Sequence, residues 1–223
     1  MTQEQNAVKK NLRQDLDLIL SQNPVLVTGL ALAPAVVGSF TAKNGLGLSL
    51  VFAMVTIPVL VLASALGYVK EKMPAFTRVI CYVLLASLML IPARALAGKI
   101  ATNLFDSLGM YFSMIAVNTV WLVRAPRCEE KKPHWALWEG FCHSLGFALC
   151  LMVVSIVREL LAYGTVWGKT VGFMVVKFPA AAYVFGGFIL VGCTAAALRW
   201  GVDRYHALVK FIRYKRRKWG AGK

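Results

Sequence analysis

Six stretches of this chain are apolar almost without interruption, and basic or mixed-charge residues separate them. A bilayer's carbon core is crossed by roughly 20 apolar residues in helical form. The pattern therefore predicts six membrane-spanning helices, over residues 23–42, 45–69, 76–96, 104–123, 138–161 and 178–198. Ahead of the first, Val8, Leu12 and Leu16 recur at helical spacing among Lys9, Lys10, Arg13 and Asp17, which predicts a short amphipathic surface helix. Behind the last, Val202, Tyr205, Leu208, Val209 and Ile212 fall on one face while Arg204, Lys210, Arg213 and Lys215 to Lys218 crowd the rest. That pattern predicts a second surface helix, held on anionic lipid. The chain thus divides into an amphipathic N-terminal segment (1–22), a transmembrane domain (23–200) and a basic tail (201–223).

Two of the spans are not plain lipid-facing helices. The first carries Pro34 near its middle, with Gly29 and Gly38 around it. A proline inside a helix removes a donor and disturbs the carbonyl one turn earlier. In lipid those freed groups need partners from protein or water, so this helix is expected inside the bundle. The fourth span is short and holds Ser113, Asn118 and Thr119 at comparable depth. Interrupted helices three spans apart are the pattern of two inverted three-helix repeats that meet at the midplane. An ordinary kink and an ordinary polar packing contact account for the same residues. The expected fold is all-α and integral to the membrane, with helices 1 and 4 broken, and Asn44 and Asn118 are candidates for satisfying the broken backbone.

Composition agrees: 58% of the 223 residues are hydrophobic and the mean hydropathy is +0.63, too apolar for a soluble domain of this length. The net charge of +15 reads as topology rather than as a nucleic-acid surface. Most basic residues fall on the side shared by the two termini, and only Lys43, Arg94, Lys99, Arg158, Lys169 and Lys177 fall on the other. The positive-inside rule then puts both termini in the cytoplasm. No apolar segment with a small-residue cleavage site precedes the first span, which is expected to act as its own insertion signal.

Candidate chemistry is sparse. The five cysteines, Cys81, Cys128, Cys142, Cys150 and Cys193, are scattered, with no CxxC, so they read as small apolar residues and not as a disulfide framework. Glu139, Cys142 and His143 share one face at the start of span 5, but nothing completes a set of four metal ligands. Arg158 and Glu159 end that span, where ionisable groups serve an ion path or a subunit contact. No nucleotide loop or catalytic triad pattern is present, so no catalysis is expected from this chain alone.

Several segments together resemble the NqrD/RnfE-type membrane subunits of the Rnf and Na+-translocating NADH:quinone reductase (Nqr) complexes. They are residues 26–34 (LVTGLALAP), 44–48 (NGLGL), Val117-Asn118-Thr119 leading to Arg124-Ala125, Glu139-Gly140-Phe141, and 157–161 (VRELL) with Gly164, Thr165 and Gly168. The resemblance runs from about residue 23 to 168 and more loosely into span 6. It implies the cytoplasmic (inner) membrane of a bacterium or archaeon. It also implies a same-fold partner of opposite topology (the NqrE/RnfA type), with which each subunit gives two cysteines to one [2Fe-2S] cluster.

At the positions where the resemblance implies those cysteines, this chain has Ala33 and Thr119, and neither side chain replaces a thiolate on iron. Pro126 stands where an acidic residue commonly follows the Arg-Ala pair, and Cys128 lies beyond the ligand depth. The expectation is a subunit of an Rnf/Nqr-type ion-translocating electron-transport complex that carries no cofactor of its own, with membrane subunits and lipid as its partners and no nucleic acid. The alternative is a stand-alone inverted-repeat transporter or channel, its substrate bound between Pro34 and Asn118.

Overall fold

The computed structural model describes residues 29, 31–69, 72–100, 109–171 and 178–220. The helix expected around Val8 to Leu16 lies outside these residues, as do parts of the first and fourth expected spans. The described chain is almost wholly helical, in the order α1 (Leu32–Gly38), α2 (Ala42–Gly67), α3 (Ala75–Ile100), a 3-10 helix (Gly109–Val117), α4 (Thr119–Cys128) and α5 (Pro133–Tyr163). A two-residue hairpin, β1 (Thr165–Val166) and β2 (Lys169–Thr170), follows, then a second 3-10 turn (Pro179–Ala182) and α6 (Val184–Gly220).

Among the described residues, four helices are long and apolar enough to cross a membrane: α2, α3, α5 and the first 18 residues of α6. They correspond to the second, third, fifth and sixth apolar stretches. The first and fourth stretches contribute shorter pieces, α1 of 7 residues and α4 of 10. At about 1.5 Å per residue neither reaches across the carbon core alone. The expected boundary after residue 200 is not marked by any interruption, because α6 runs on through Gly201 to Gly220.

Helices α2 and α5 form the centre. About half of their apolar windows is buried, 56% and 50%, against 17% for α3 and α6. They lie antiparallel, and small residues bring them close. A methyl group on Gly45 would overlap the Ser155 side chain, and one on Gly140 would press on Ile57. Between these contacts the Phe52 and Phe147 rings stack, with centroids 3.9 Å apart. Water expulsion drives no association between helices in lipid, so close van der Waals contact of this kind has to hold them.

Local chemistry sets the ends of both helices. Thr41 caps α2, its hydroxyl accepting from the Asn44 N–H at 3.2 Å. Pro133 occupies the first turn of α5, where no donor is needed. Gly164 ends α5 in the left-handed conformation (φ 67°), which a residue without Cβ adopts freely. Trp167 and Gly168 both have positive φ (60° and 77°), as a two-residue hairpin turn requires. Helix α3 packs against α2, and Tyr82 on α3 meets the buried Trp121 of α4 edge to face.

Gly67, the last residue of α2, sits so close to the Glu129 backbone that any Cβ would overlap it. G67A is therefore expected to cost about 1–3 kcal/mol by forcing the chain apart. G192A, which meets nothing within 4 Å inside α6, should cost nothing and gain up to about 1 kcal/mol from helix propensity. Thermal unfolding of the two detergent-solubilised variants, compared with the parent, checks the contrast.

Candidate functional site

A cavity of about 250 Å³ opens where the start of α1 meets the residue before α4. It is lined by Gly29, Ala31, Leu32, Ala33, Pro34, Val117 and Asn118. Its wall comes from unusual backbone. Gly29 (φ 69°) and Ala31 (φ 57°) are left-handed, so the chain turns sharply as it enters α1. Pro34 lies in the first turn of α1, where its missing N–H costs nothing. The turn is thus set by the left-handed residues upstream, rather than by the proline as expected from its place in the apolar stretch. Across the cavity the 3-10 helix stops at Val117, and Asn118 is extended (φ −84°, ψ 129°). Its Oδ1 caps α4 by accepting from the Val120 N–H at 2.9 Å. Asn44 lies elsewhere, buried in the first turn of α2.

Ala33 and Asn118 therefore share one space, and Thr119 follows directly as the first residue of α4. The lining side chains are aliphatic apart from one amide, and none carries a thiol. A [2Fe-2S] cluster needs thiolates or imidazoles on its irons, so the residues present do not fit that group. Cys128, Cys142 and Cys150 are buried, Cys81 is half-buried and Cys193 is exposed. None of the five lines the cavity. Cys128 closes the far end of α4, where its thiol faces Glu139 Oε2 at 3.6 Å.

The end of α5 carries two buried charges side by side. Arg158 is fully buried. Its Nε donates to the Ala181 carbonyl at 2.8 Å, Nη1 to the Val36 carbonyl at 2.5 Å and to Ser39 Oγ at 3.1 Å, and Nη2 to the carbonyls of Tyr183 at 2.8 Å and Ala182 at 3.2 Å. The guanidinium also lies 4.1 Å from the centre of the Phe40 ring. It thus sits where the carbonyl ends of α1 and of the second 3-10 turn converge, and a cation is favoured at both. Glu159 does the converse. Its Oε2 accepts from the Ala42 N–H at 2.7 Å, at the amide end of α2, and its Oε1 accepts from the Gly168 N–H at 2.8 Å and from Thr165 Oγ1 at 3.1 Å.

Glu139 lies near the other end of α5 and is also buried. Lys131 Nζ donates to its Oε2 at 2.6 Å, and His143 Nε2 stands 3.8 Å from its Oε1. Beside it, Glu129 Oε1 accepts from the Tyr82 hydroxyl at 2.8 Å and pairs with Arg78 Nε at 3.2 Å. Among the described residues, no three His, Cys, Asp or Glu side chains gather to hold a metal ion, Glu139, Cys142 and His143 included. Helical spacing picks out Glu139 and His143, but it misses Lys131 and Cys128, which reach Glu139 from beyond the start of α5. The charged stretch Glu129-Glu130-Lys131-Lys132 was the available signal for them.

The fold and these buried charges define a polytopic membrane protein. The chain belongs to the family described as "Rnf-Nqr subunit, membrane protein", whose profile matches residues 13–192. Over 186 residues it is 27% identical to the E subunit of the proton-translocating ferredoxin:NAD(+) oxidoreductase complex of Clostridium ljungdahlii, covering 81% of this chain and 84% of the relative. It is 29% identical to the E subunit of the ion-translocating oxidoreductase complex of Haemophilus influenzae, over 67% of this chain and 63% of that one. To the protein of that description from Shewanella oneidensis it is 28% identical, over 78% and 80%.

Replacing Arg158 with alanine removes five hydrogen bonds, and among the described residues only the Val36 and Tyr183 carbonyls keep a second donor, Ser39 Oγ and the Gly187 N–H. The expected loss is roughly 3 kcal/mol, measured as thermal stability in detergent. Millimolar guanidinium should restore part of it in R158A and nothing in a variant destabilised elsewhere, such as G67A.

Proposed function

We propose that this protein is an integral membrane subunit of an Rnf/Nqr-type ion-translocating electron-transport complex, paired with a same-fold subunit of opposite topology. The family match across residues 13–192 carries this reading, and the names of the relatives agree with it. In it the first and fourth apolar stretches are half-helices, and residues 23–200 form two inverted three-helix repeats within the inner membrane, with both termini cytoplasmic.

The contacts of α2 and α5 support such a two-fold relation. The Phe52–Phe147 stack lies midway between the helices. The end of α2 rests on the turn between α4 and α5, through Gly67 against Glu129 and Ser64 Oγ donating to the Lys131 carbonyl at 2.5 Å. The end of α5 rests on the turn between α1 and α2, through Arg158 to Val36 and Glu159 to Ala42. Each repeat's second helix thereby closes on the turn of the other repeat.

Within the complex, this subunit supplies no ligand to the cluster. Ala33 in the cavity wall and the absence of any thiol among the lining residues support that reading. Its role is to pair with its partner and shape the ion path, with Glu139, Arg158 and Glu159 as the buried ionisable residues serving the path or the contact. The cavity beside Pro34 and Asn118 also suits a second reading, a stand-alone transporter whose solute binds there.

Purification from the native membrane separates the two. Co-elution with flavoprotein and same-fold membrane subunits supports the complex, whereas a homodimer that moves solute without redox partners overturns it. Iron and acid-labile sulfide analysis with reduced-state EPR tests the second part: the purified chain should hold no [2Fe-2S]. A33C/T119C, co-expressed with the same-fold partner, should gain one.

A further inference from the structure

We infer that Glu139 and His143 form a proton-binding site for which the Lys131 ammonium is the tethered alternative occupant. A buried carboxylate needs a positive partner, and Glu139 has two groups able to supply one, on different oxygens. Lys131 holds Oε2 at 2.6 Å. The imidazole of His143, one helical turn deeper and wholly buried, stands 3.8 Å from Oε1. That separation is too long for a hydrogen bond but close enough for an imidazolium to neutralise the carboxylate.

The two groups differ in their access to water. The Lys131 side chain is 37% exposed, whereas that of His143 is 0% exposed. Lys131 belongs to the turn ahead of α5, and its backbone is fixed at both ends: the carbonyl accepts from Ser64 Oγ, and the N–H donates to the Cys128 carbonyl at 3.0 Å. Only its side chain has to move. When the ammonium swings out, one positive charge leaves Glu139 and a path opens to solvent. A proton from water then adds to His143 Nε2, and the resulting imidazolium pairs with Oε1. When the proton departs, the ammonium returns, so the buried charge is the same at each end of the exchange.

The donor set favours a proton over Na+ as the exchanged ion. Hard cations take several oxygen ligands, whereas the side chains that meet the Glu139 carboxylate among the described residues include an ammonium, an imidazole and the Cys128 thiol. Among the described residues, other charges from neighbouring helices are engaged around the site. Arg78 and Tyr82 from α3 meet Glu129, and Arg124 of α4 acts on the Cys128 side. The inference deepens the ion-path role proposed for Glu139 and rests on that reading for its use in transport. Its test reads protonation alone, so it can fail or succeed whatever complex the chain belongs to.

The experiment is nitrogen-15 NMR of the full-length chain in bilayers, labelled at its 3 histidines, with H143Q assigning the His143 signals. At neutral pH the parent should show a neutral His143 imidazole, and K131M should show imidazolium. E139Q/K131M should return it to neutral. Neutral imidazole in K131M, imidazolium in the parent with Lys131 in place, or stoichiometric binding of radioactive Na+ by K131M with His143 neutral would each overturn the inference. Should K131M fail to fold, the parent carries the test. On acidification, the dipolar coupling between Lys131 Nζ and the Glu139 carboxyl carbon must fall as His143 becomes charged, and a coupling that persists refutes the exchange.

Discussion

Arg158 and Glu159 are neighbours in sequence, and their side chains serve opposite ends of the helices around them. The guanidinium collects carbonyls from the ends of α1 and the 3-10 turn before α6. The carboxylate collects the first amide of α2 and the hairpin amide of Gly168. Hydrogen bonds to charged groups contribute about 1.5–3 kcal/mol each, and an orphaned buried charge costs more than it returns. One dipeptide therefore fixes where α1 stops, where α2 starts and how α6 approaches. The wall of the cavity at Ala33 and Pro34 hangs from this joint, because Val36 is only two residues from Pro34.

The interior of the pair α2 and α5 depends on small side chains at sites of close approach, Gly45 and Gly140, and Gly67 lets the end of α2 approach the turn after α4. Such contacts gain dispersion energy without excluding water. The buried carboxylates and the guanidinium, by contrast, lie toward the ends of the pair. The middle is occupied by the Phe52–Phe147 stack, and charges are admitted only where turns bring backbone amides, carbonyls or long side chains to meet them.

Much of the fold was legible in the sequence, for physical reasons that also mark where legibility ended. Long apolar runs bounded by charge have few alternatives, so α2, α3 and α5 lie close to residues 45–69, 76–96 and 138–161. The entry to α1 was not legible in detail, because a left-handed Ala31 has no mark in hydropathy. Pro34 lies in the first turn of α1, where its ring needs no special accommodation. At the site, Arg158, Glu159 and Glu139 stood out as ionisable residues in apolar surroundings. Their partners did not: Val36, Ala42 and Tyr183 act through backbone groups, which no side-chain pattern encodes, and Lys131 reaches Glu139 from outside the helix.

Helix α6 spans 37 residues, about 55 Å at 1.5 Å per residue, while only the part from Val184 to Gly201 is apolar enough for the bilayer. Its remainder is a rod roughly as long as the carbon core is thick. One helix runs through both parts, so no loop separates the apolar stretch from the basic one. The segment expected as a separate basic tail is therefore continuous in backbone with the last apolar stretch. Any change of direction between the two parts has to come from bending or breaking a helix, because the chain offers no loop there to act as a hinge.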